Sequence, residues 1–142
     1  MEWKEYNEKE NIEFNINNGN GKGKNYNYKG NLEFEGEFLN GERNGKGKEY
    51  YNNGQLKFEG EYLNGELNGK GREYNNYGKL KFEGEYLNGK RWNGKGYDIN
   101  NNLIYELKDG KGFIKEYDFN YRLKFEGEFI NGERNGKGRE FC

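Results

Sequence analysis

The sequence predicts an all-β fold, a single-layer, twisted antiparallel meander of about six tandem β-hairpins over residues 12–142. Three observations support this prediction. The string NGKG recurs along the chain, short segments alternate apolar with charged residues, and Asn-Gly dipeptides separate these segments. Residues 1–11 precede the first alternating segment and are interpreted as a charged N-terminal lead-in.

The repeat is most visible in the NGKG string. It begins at Asn20, Asn44, Asn68, Asn93 and Asn135, with the variant DGKG at Asp109. The first three spacings are 24, 24 and 25 residues and the next two are 16 and 26, so the unit before Asp109 is shortened. Repeats of this length indicate one supersecondary unit stacked on the next, with about twelve strands in all.

Each unit divides into two strand-like halves joined by a tight turn. Leu56–Tyr62 alternates apolar and charged residues, the pattern of a half-buried strand. Asn64-Gly65 follows, and Asn-Gly favours a type I′ turn because both central residues need a positive φ. The chain contains eleven Asn-Gly dipeptides, so some mark turns and others lie inside strands.

These turns predict a register for the sheet. The turn at Asn64-Gly65 pairs Tyr62 with Leu67, Gly60 with Gly69, Phe58 with Gly71 and, on the other face, Glu59 with Lys70. Similar turns at Asn53-Gly54 and Asn18-Gly19 pair Tyr51 with Leu56, Gly47 with Gly60 and Phe14 with Gly23, and Asp109-Gly110 closes a short hairpin with Tyr105 and Leu107.

An aromatic ring lying over a strand glycine restores the packing that the glycine lacks. The sequence therefore predicts a core of aromatic and glycine positions: Phe34, Gly36, Phe38, Gly47, Phe58, Gly60, Tyr62, Gly71, Phe82, Gly84, Tyr86, Phe125, Gly127 and Phe129.

The composition argues against catalysis. His, Ser and Thr are absent from the sequence, so the common nucleophiles and the usual base at neutral pH are missing. The single thiol, Cys142, cannot build a zinc site by itself. The sequence therefore predicts a protein that is not an enzyme, with no catalytic residues, cofactor or metal ligands. The GNGKGK segment at 19–24 lacks the Ser or Thr and the following helix of a phosphate-binding loop.

Charge and hydropathy restrict the partners further. The 24 basic and 25 acidic residues are closely mixed and give a net charge of −1, whereas nucleic-acid binders carry a basic face, so no nucleic-acid partner is expected. No apolar run reaches membrane-spanning length and the N-terminus lacks the apolar stretch of a leader. The expected location is the cytoplasm, with peripheral attachment to a membrane as a variant.

The repeated unit resembles the MORN repeat family, whose pattern is an aromatic-Glu-Gly-Glu-aromatic strand, an Asn-Gly or Asp-Gly turn and then Gly-x-Gly. Here these segments are 58–62, 64–65 and 69–71. The segment EYYNNGQLKFEGEYLNG is also similar to the MORN variant of bacterial antitoxin-like proteins. The resemblance extends over roughly residues 12–141, with irregular units at Arg91-Trp92 and at Phe113-Ile114.

The resemblance implies a twisted sheet of hairpins used as a spacer, docking or dimerisation module. It also implies contact with acidic phospholipids in some members, and it assigns any enzymatic activity to a separate domain. We therefore expect a non-catalytic scaffold that mediates protein–protein interaction, with another protein or a second copy as partner.

Two alternatives stay open at this stage. One is peripheral binding of anionic phospholipids through a row of repeat lysines: Lys22, Lys46, Lys70, Lys95, Lys111 and Lys137. The structural reading of that row is that each lysine pairs with a facing carboxylate. The other alternative is an antitoxin-like protein that occludes a partner protein. The aromatic face of a single layer needs cover, which strong twist, a second copy or a partner peptide would supply.

Overall fold

The computed structural model describes residues 5–7, 12–14, 19–118 and 120–141. Among these residues there are thirteen strands and no helix. The strands are β1 (Glu5–Asn7), β2 (Ile12–Phe14), β3 (Gly21–Tyr26), β4 (Leu32–Leu39), β5 (Glu42–Tyr50), β6 (Leu56–Leu63), β7 (Glu66–Tyr74), β8 (Leu80–Leu87), β9 (Lys90–Tyr97), β10 (Leu103–Leu107), β11 (Gly112–Tyr117), β12 (Leu123–Ile130) and β13 (Glu133–Glu140).

Within each of two sheets, every strand pairs antiparallel with the next one along the chain, which confirms the predicted meander. Strands β1–β10 form one sheet and β11–β13 form a second. An isolated bridge between Lys108 and Lys111 joins them across the predicted turn at Asp109-Gly110. Strand β1 lies inside the segment interpreted as a lead-in and pairs with β2; the boundary at residue 12 stays a prediction.

The predicted tight turn at Asn64-Gly65 is present. Both residues have the positive φ that a type I′ turn requires, 50° at Asn64 and 86° at Gly65. The N–H group of Gly65 donates a hydrogen bond of 2.9 Å to the carbonyl oxygen of Arg43, one unit earlier. The turn of one hairpin is therefore tied to the turn of the hairpin before it.

The second Asn-Gly of each unit has a different role. The Oδ1 atom of Asn68 accepts a hydrogen bond of 3.1 Å from the backbone N–H of Asn88, the first residue of the next turn. The same contact recurs from Asn20 to Asn40, from Asn44 to Asn64 and from Asn93 to Asp109. The first Asn-Gly of each unit thus forms the turn, and the asparagine side chain of the second accepts a hydrogen bond from the turn of the next unit.

The register of the repeat hairpin differs from the prediction beyond the first pair. Tyr62 faces Leu67 as predicted, but Gly60 faces Gly71 instead of Gly69, Phe58 faces Glu73 instead of Gly71, and Glu59 faces Arg72 instead of Lys70.

A bulge in β7 causes this shift, because three residues between Leu67 and Gly71 lie opposite the single residue Glu61. Gly69 adopts a φ of 108° at the bulge, and the Lys70 N–H donates a hydrogen bond of 2.8 Å to Glu61 Oε2. The alternation of apolar and charged residues in the sequence does not reveal that the Glu61 side chain caps a bulge.

The longer loop is also not the predicted two-residue turn at Asn53-Gly54. The Gly54 N–H donates to the Tyr51 carbonyl, and the Tyr51 N–H donates to the Gln55 carbonyl. With a φ of 84° at Gly54, this is a three-residue loop closed by a glycine bulge. Leu56 therefore faces Tyr50 instead of Tyr51, whereas the predicted pairs of Gly47 with Gly60 and of Phe14 with Gly23 are confirmed.

The core consists of rings lying on glycines. A Cβ atom added to Gly71 would lie 2.5 Å from Phe58 Cζ, so the ring occupies the space above that glycine, as predicted. It reaches Gly71 diagonally because the two residues are not directly opposite. Phe58 also contacts Tyr62 and Tyr86 edge to face, with ring centroids 5.8 and 5.4 Å apart.

The aromatic face therefore covers itself. Phe34 and Phe82 are fully buried, and the guanidinium carbon of Arg43 lies 4.1 Å from the centre of the Phe34 ring. The other buried apolar side chains are Phe38, Phe58, Tyr62, Tyr86, Tyr105, Leu107, Ile114, Phe125 and Phe129. The rings themselves thus bury the face for which the sequence left open cover by strong twist, a second copy or a partner peptide.

The shortened unit buries its core with a different arrangement of side chains and glycines. Tyr105 faces Gly96 and its ring lies over that glycine. On β11, Ile114 faces Gly127, where the regular units set glycine against glycine. Ile114 is fully buried. The irregular unit thus fills with an aliphatic side chain the space that the repeat fills with a ring.

The ring-on-glycine contact predicts the effect of Gly71→Ala. The added methyl group would meet Phe58 directly, so we expect unfolding to become easier by about 2–3 kcal/mol in urea. Gly65→Ala is the matched control, because Gly65 has open space but a positive φ and should lose only about 1 kcal/mol. Equal losses for the two variants would contradict this account of the core.

Candidate interaction surface

The face opposite the aromatic core carries two ladders of alternating charge that run across the strands. In the loop-side ladder each residue lies directly opposite the next, in the order Lys24, Glu35, Lys48, Glu59, Arg72, Glu83, Lys95 and Glu106. The turn-side ladder lies nearer the Asn-Gly turns and contains Lys22, Glu37, Lys46, Glu61, Lys70 and Glu85. Every charge in these ladders has neighbours of the opposite sign.

Tyrosine hydroxyl groups fix the carboxylates of the loop-side ladder. Tyr50, Tyr74 and Tyr97 donate hydrogen bonds to Glu35, Glu59 and Glu83 at 2.6, 2.8 and 2.9 Å. Burial, followed by the hydrogen bond to Glu35, raises the pKa of Tyr50 to about 12. The Tyr50 hydroxyl therefore stays protonated at neutral pH and acts as a donor.

An aliphatic row lies on the same face, next to the tight turns. It consists of Leu39, Leu63, Leu87 and Ile130, whose side chains are 40–48% exposed. We name these four residues the leucine row. Each precedes an Asn-Gly turn and lies two residues after a glutamate of the charged face, so the alternation of the strand puts it on that face too. Sequence reasoning missed this row, although that parity was a signal that could have found it.

The ladders line an open groove of about 1040 Å³ across β3–β8. Glycines form its floor, and six basic and six acidic side chains form its walls. The lining charges therefore cancel. A neutral groove of this kind has no general attraction for anions or cations, although it presents a definite order of charges.

The six predicted lysines do not form one row. Lys22, Lys46 and Lys70 lie in the turn-side ladder, whereas Lys95 lies in the loop-side ladder between Glu83 and Glu106. Lys111 lies at the bridge between the two sheets. The Lys137 backbone belongs to β13, and its side chain is outside the described residues.

The irregular unit at Phe113-Ile114 interrupts the turn-side ladder. Phe113 faces Glu128, as Lys46 faces Glu61, so a ring that is 56% exposed replaces a lysine. The neutral Asn93 faces Glu85 at the corresponding point of β9. The strict alternation of the turn-side ladder is therefore confined to β3–β8.

An ion pair lies mostly buried at the margin of the aromatic core. Arg91 Nε and Nη2 donate to the two carboxylate oxygens of Glu73 at 2.6 and 3.0 Å, and Arg91 Nη1 donates to the Tyr105 hydroxyl at 2.9 Å. Tyr86 donates a further hydrogen bond of 2.5 Å to Glu73.

Burial alone raises the pKa of Glu73, but the charge and hydrogen bonds of Arg91 hold that pKa below its ordinary value of 4.5. Glu73 and Arg91 are bonded to each other and to tyrosine hydroxyl groups. The cluster therefore stabilises the contact between neighbouring units and offers no free acid or base for catalysis. Arg134 makes the equivalent contact with Glu116 at 2.6 Å.

No metal site or membrane-spanning helix is found in the part of the chain that the structure describes. The described side chains bring no three potential ligands among His, Cys, Asp and Glu together around a point. Likewise, none of the described residues belongs to a helix long and apolar enough to cross a bilayer.

Comparison with known protein families finds a repeat family within the chain. The MORN repeat family model matches residues 34–56, 58–79 and 125–142. Three segments of the chain therefore match MORN repeats, which confirms the resemblance that the sequence pattern indicated. This family of repeats is non-catalytic and commonly mediates protein–protein or membrane interactions. No curated protein shows significant similarity to the chain.

The Glu73 cluster predicts a pH effect on stability. Because the folded state lowers the pKa of Glu73, its contribution is complete above the ordinary value of 4.5 and is lost as the pH falls through the folded-state value. Glu73→Gln should therefore lose less stability than the wild type between about pH 6 and about pH 3 in urea unfolding. Glu66→Gln, at an exposed position, is the control and should follow the wild type.

Proposed function

We propose that the chain is a non-catalytic scaffold that binds a partner protein along the charged groove. The observation that supports this proposal is that one face of the sheet is buried and the other is open. The aromatic face is buried by its own rings, whereas the opposite face keeps an open groove beside the half-exposed leucine row. Apolar side chains next to ordered charges are typical of surfaces that recognise proteins.

The lysines give less support to binding of anionic lipids. Polybasic segments attract acidic membranes by about 1 kcal/mol per cation, which requires an excess of positive charge. Here each lysine of the turn-side ladder has glutamate neighbours, and the six acidic side chains of the groove cancel its six basic ones. We therefore favour a protein over a membrane as the partner.

A pull-down of the full chain from native lysate tests the proposal. The wild type should recover one stoichiometric protein, and the triple variant Leu39→Asn, Leu63→Asn and Leu87→Asn should lose it because the leucine row is removed. The matched control is Tyr28→Asn with Tyr77→Asn, since these exposed tyrosines lie on loops away from the groove. Retention of the partner by the triple variant would contradict the assignment to this face.

The balance of charge also predicts the outcome of vesicle sedimentation. Vesicles containing phosphoinositides should not take up the chain in a manner that salt suppresses, because the groove has no excess of positive charge. Uptake at low salt that disappears at high salt, and also disappears in Lys46→Gln with Lys70→Gln, would favour the membrane alternative instead.

A further inference from the structure

We propose that the groove accepts a single α-helix from a partner protein, lying across the strands, with an apolar residue at every seventh position and alternating acidic and basic residues beside it. This inference rests on the proposed function and narrows the partner to one chemical class. It follows from the spacing of the charges and leucines along the groove.

The charge spacing distinguishes a helix from an extended segment. Neighbouring strands lie ~4.8 Å apart, so the sign of each ladder changes about every 4.8 Å along the groove. Residues three and four apart on one helix face rise ~5.3 Å on average. Same-face residues of an extended chain are ~6.6 Å apart and lose register with the ladder within two steps.

The leucine row has a matching period. Leu39, Leu63 and Leu87 lie on β4, β6 and β8, which puts them ~9.6 Å apart. One heptad of a helix rises ~10.5 Å. Apolar residues at three successive heptad positions therefore meet the three leucines with a mismatch of about 1 Å per heptad, which side-chain rotation accommodates.

The size of the groove fits the same occupant. Its lining residues extend over β3–β8, five strand spacings or ~24 Å, which corresponds to about 16 helical residues. A helix of that length and ~10 Å diameter has a volume of ~1900 Å³. The groove of 1040 Å³ would hold about half of it. A half-embedded helix keeps one face in solvent and turns the other to the groove, where its apolar residues would meet the leucine row and its flanking charges would meet the ladders.

The charges and leucines would contribute in different ways. Each ladder charge already has opposite neighbours, so a further ion pair in this exposed setting contributes little affinity. A helix in the wrong register or direction, however, would set like charges against each other. The leucine row would thus supply affinity, and the ladders would select the order of charges along the helix.

Synthetic lactam-stapled helices of about 18 residues test this inference by calorimetric titration of the full chain. The first has leucine at every seventh position and alternates Glu and Lys on the flanking positions. The second has the same composition and leucines, but all Glu precede all Lys. We expect the alternating helix to bind at least about tenfold more tightly than the block helix.

Two chain variants locate the binding. Leu63→Asn should weaken the alternating helix about fivefold or more, whereas Tyr77→Asn on a loop should not change it. Lys46→Glu with Lys70→Glu makes the turn-side ladder acidic from Glu37 to Glu85 and should weaken the alternating helix about tenfold.

The same double variant should strengthen a third helix that carries Lys at every position facing that ladder. Lys29→Glu with Lys79→Glu is the matched control, because these lysines lie in loops outside the groove.

Equal binding of the alternating and block helices, or binding of neither, would overturn the inference about the helix. The pull-down separates that outcome from failure of the scaffold. If a stoichiometric partner is lost in the triple leucine variant while every helix fails to bind, the groove binds protein in another form. If no partner is recovered, the proposed function fails as well.

Discussion

The contact between an aromatic ring and a strand glycine allows this sheet to bury a core without a second layer. A phenylalanine laid flat on the next strand needs a residue without Cβ beneath it, and the tyrosine of the following unit covers the ring from its edge. Each unit therefore supplies both the cover for its predecessor and the bare backbone for its own ring. A chain that is only 30% hydrophobic can bury a core in this way because aromatic side chains bury a large area per residue.

The polar residues complete the coupling between units. The Asn68 side chain holds the turn that begins at Asn88, and the Gly89 N–H donates to the Leu67 carbonyl of the preceding unit. Stability in such an array depends on nearest neighbours, and the backbone contact recurs at the turns that contain Gly41, Gly65, Gly110 and Gly132. The cluster of Glu73 and Arg91 serves the same purpose beside the shortened unit. The aromatic core and the asparagines thus account for one face and one edge of the molecule.

The charged face is not needed to bury the core, and this is why it can serve recognition. Its ladders alternate in sign across the strands, so they leave the groove with little net charge. The leucine row and the exposed Phe113 ring interrupt this polar surface. A surface of alternating charge gains specificity from the order of its charges rather than from net attraction, which suits the proposed binding of a partner protein.

The sequence by itself determined the meander, the type I′ turns and the aromatic and glycine core, because these depend on local φ preferences and on the two-residue period of a strand. Phe58 was predicted to cover Gly71 and does so. The register beyond Tyr62 was predicted wrongly, since the Glu61 carboxylate caps a bulge that no local pattern reveals. Self-burial of the aromatic face, the assignment of Lys95 to the other ladder and the groove with its leucine row were decided by tertiary structure. They depend on which strands lie side by side and on how far the rings reach across them, and residues far apart in sequence set both.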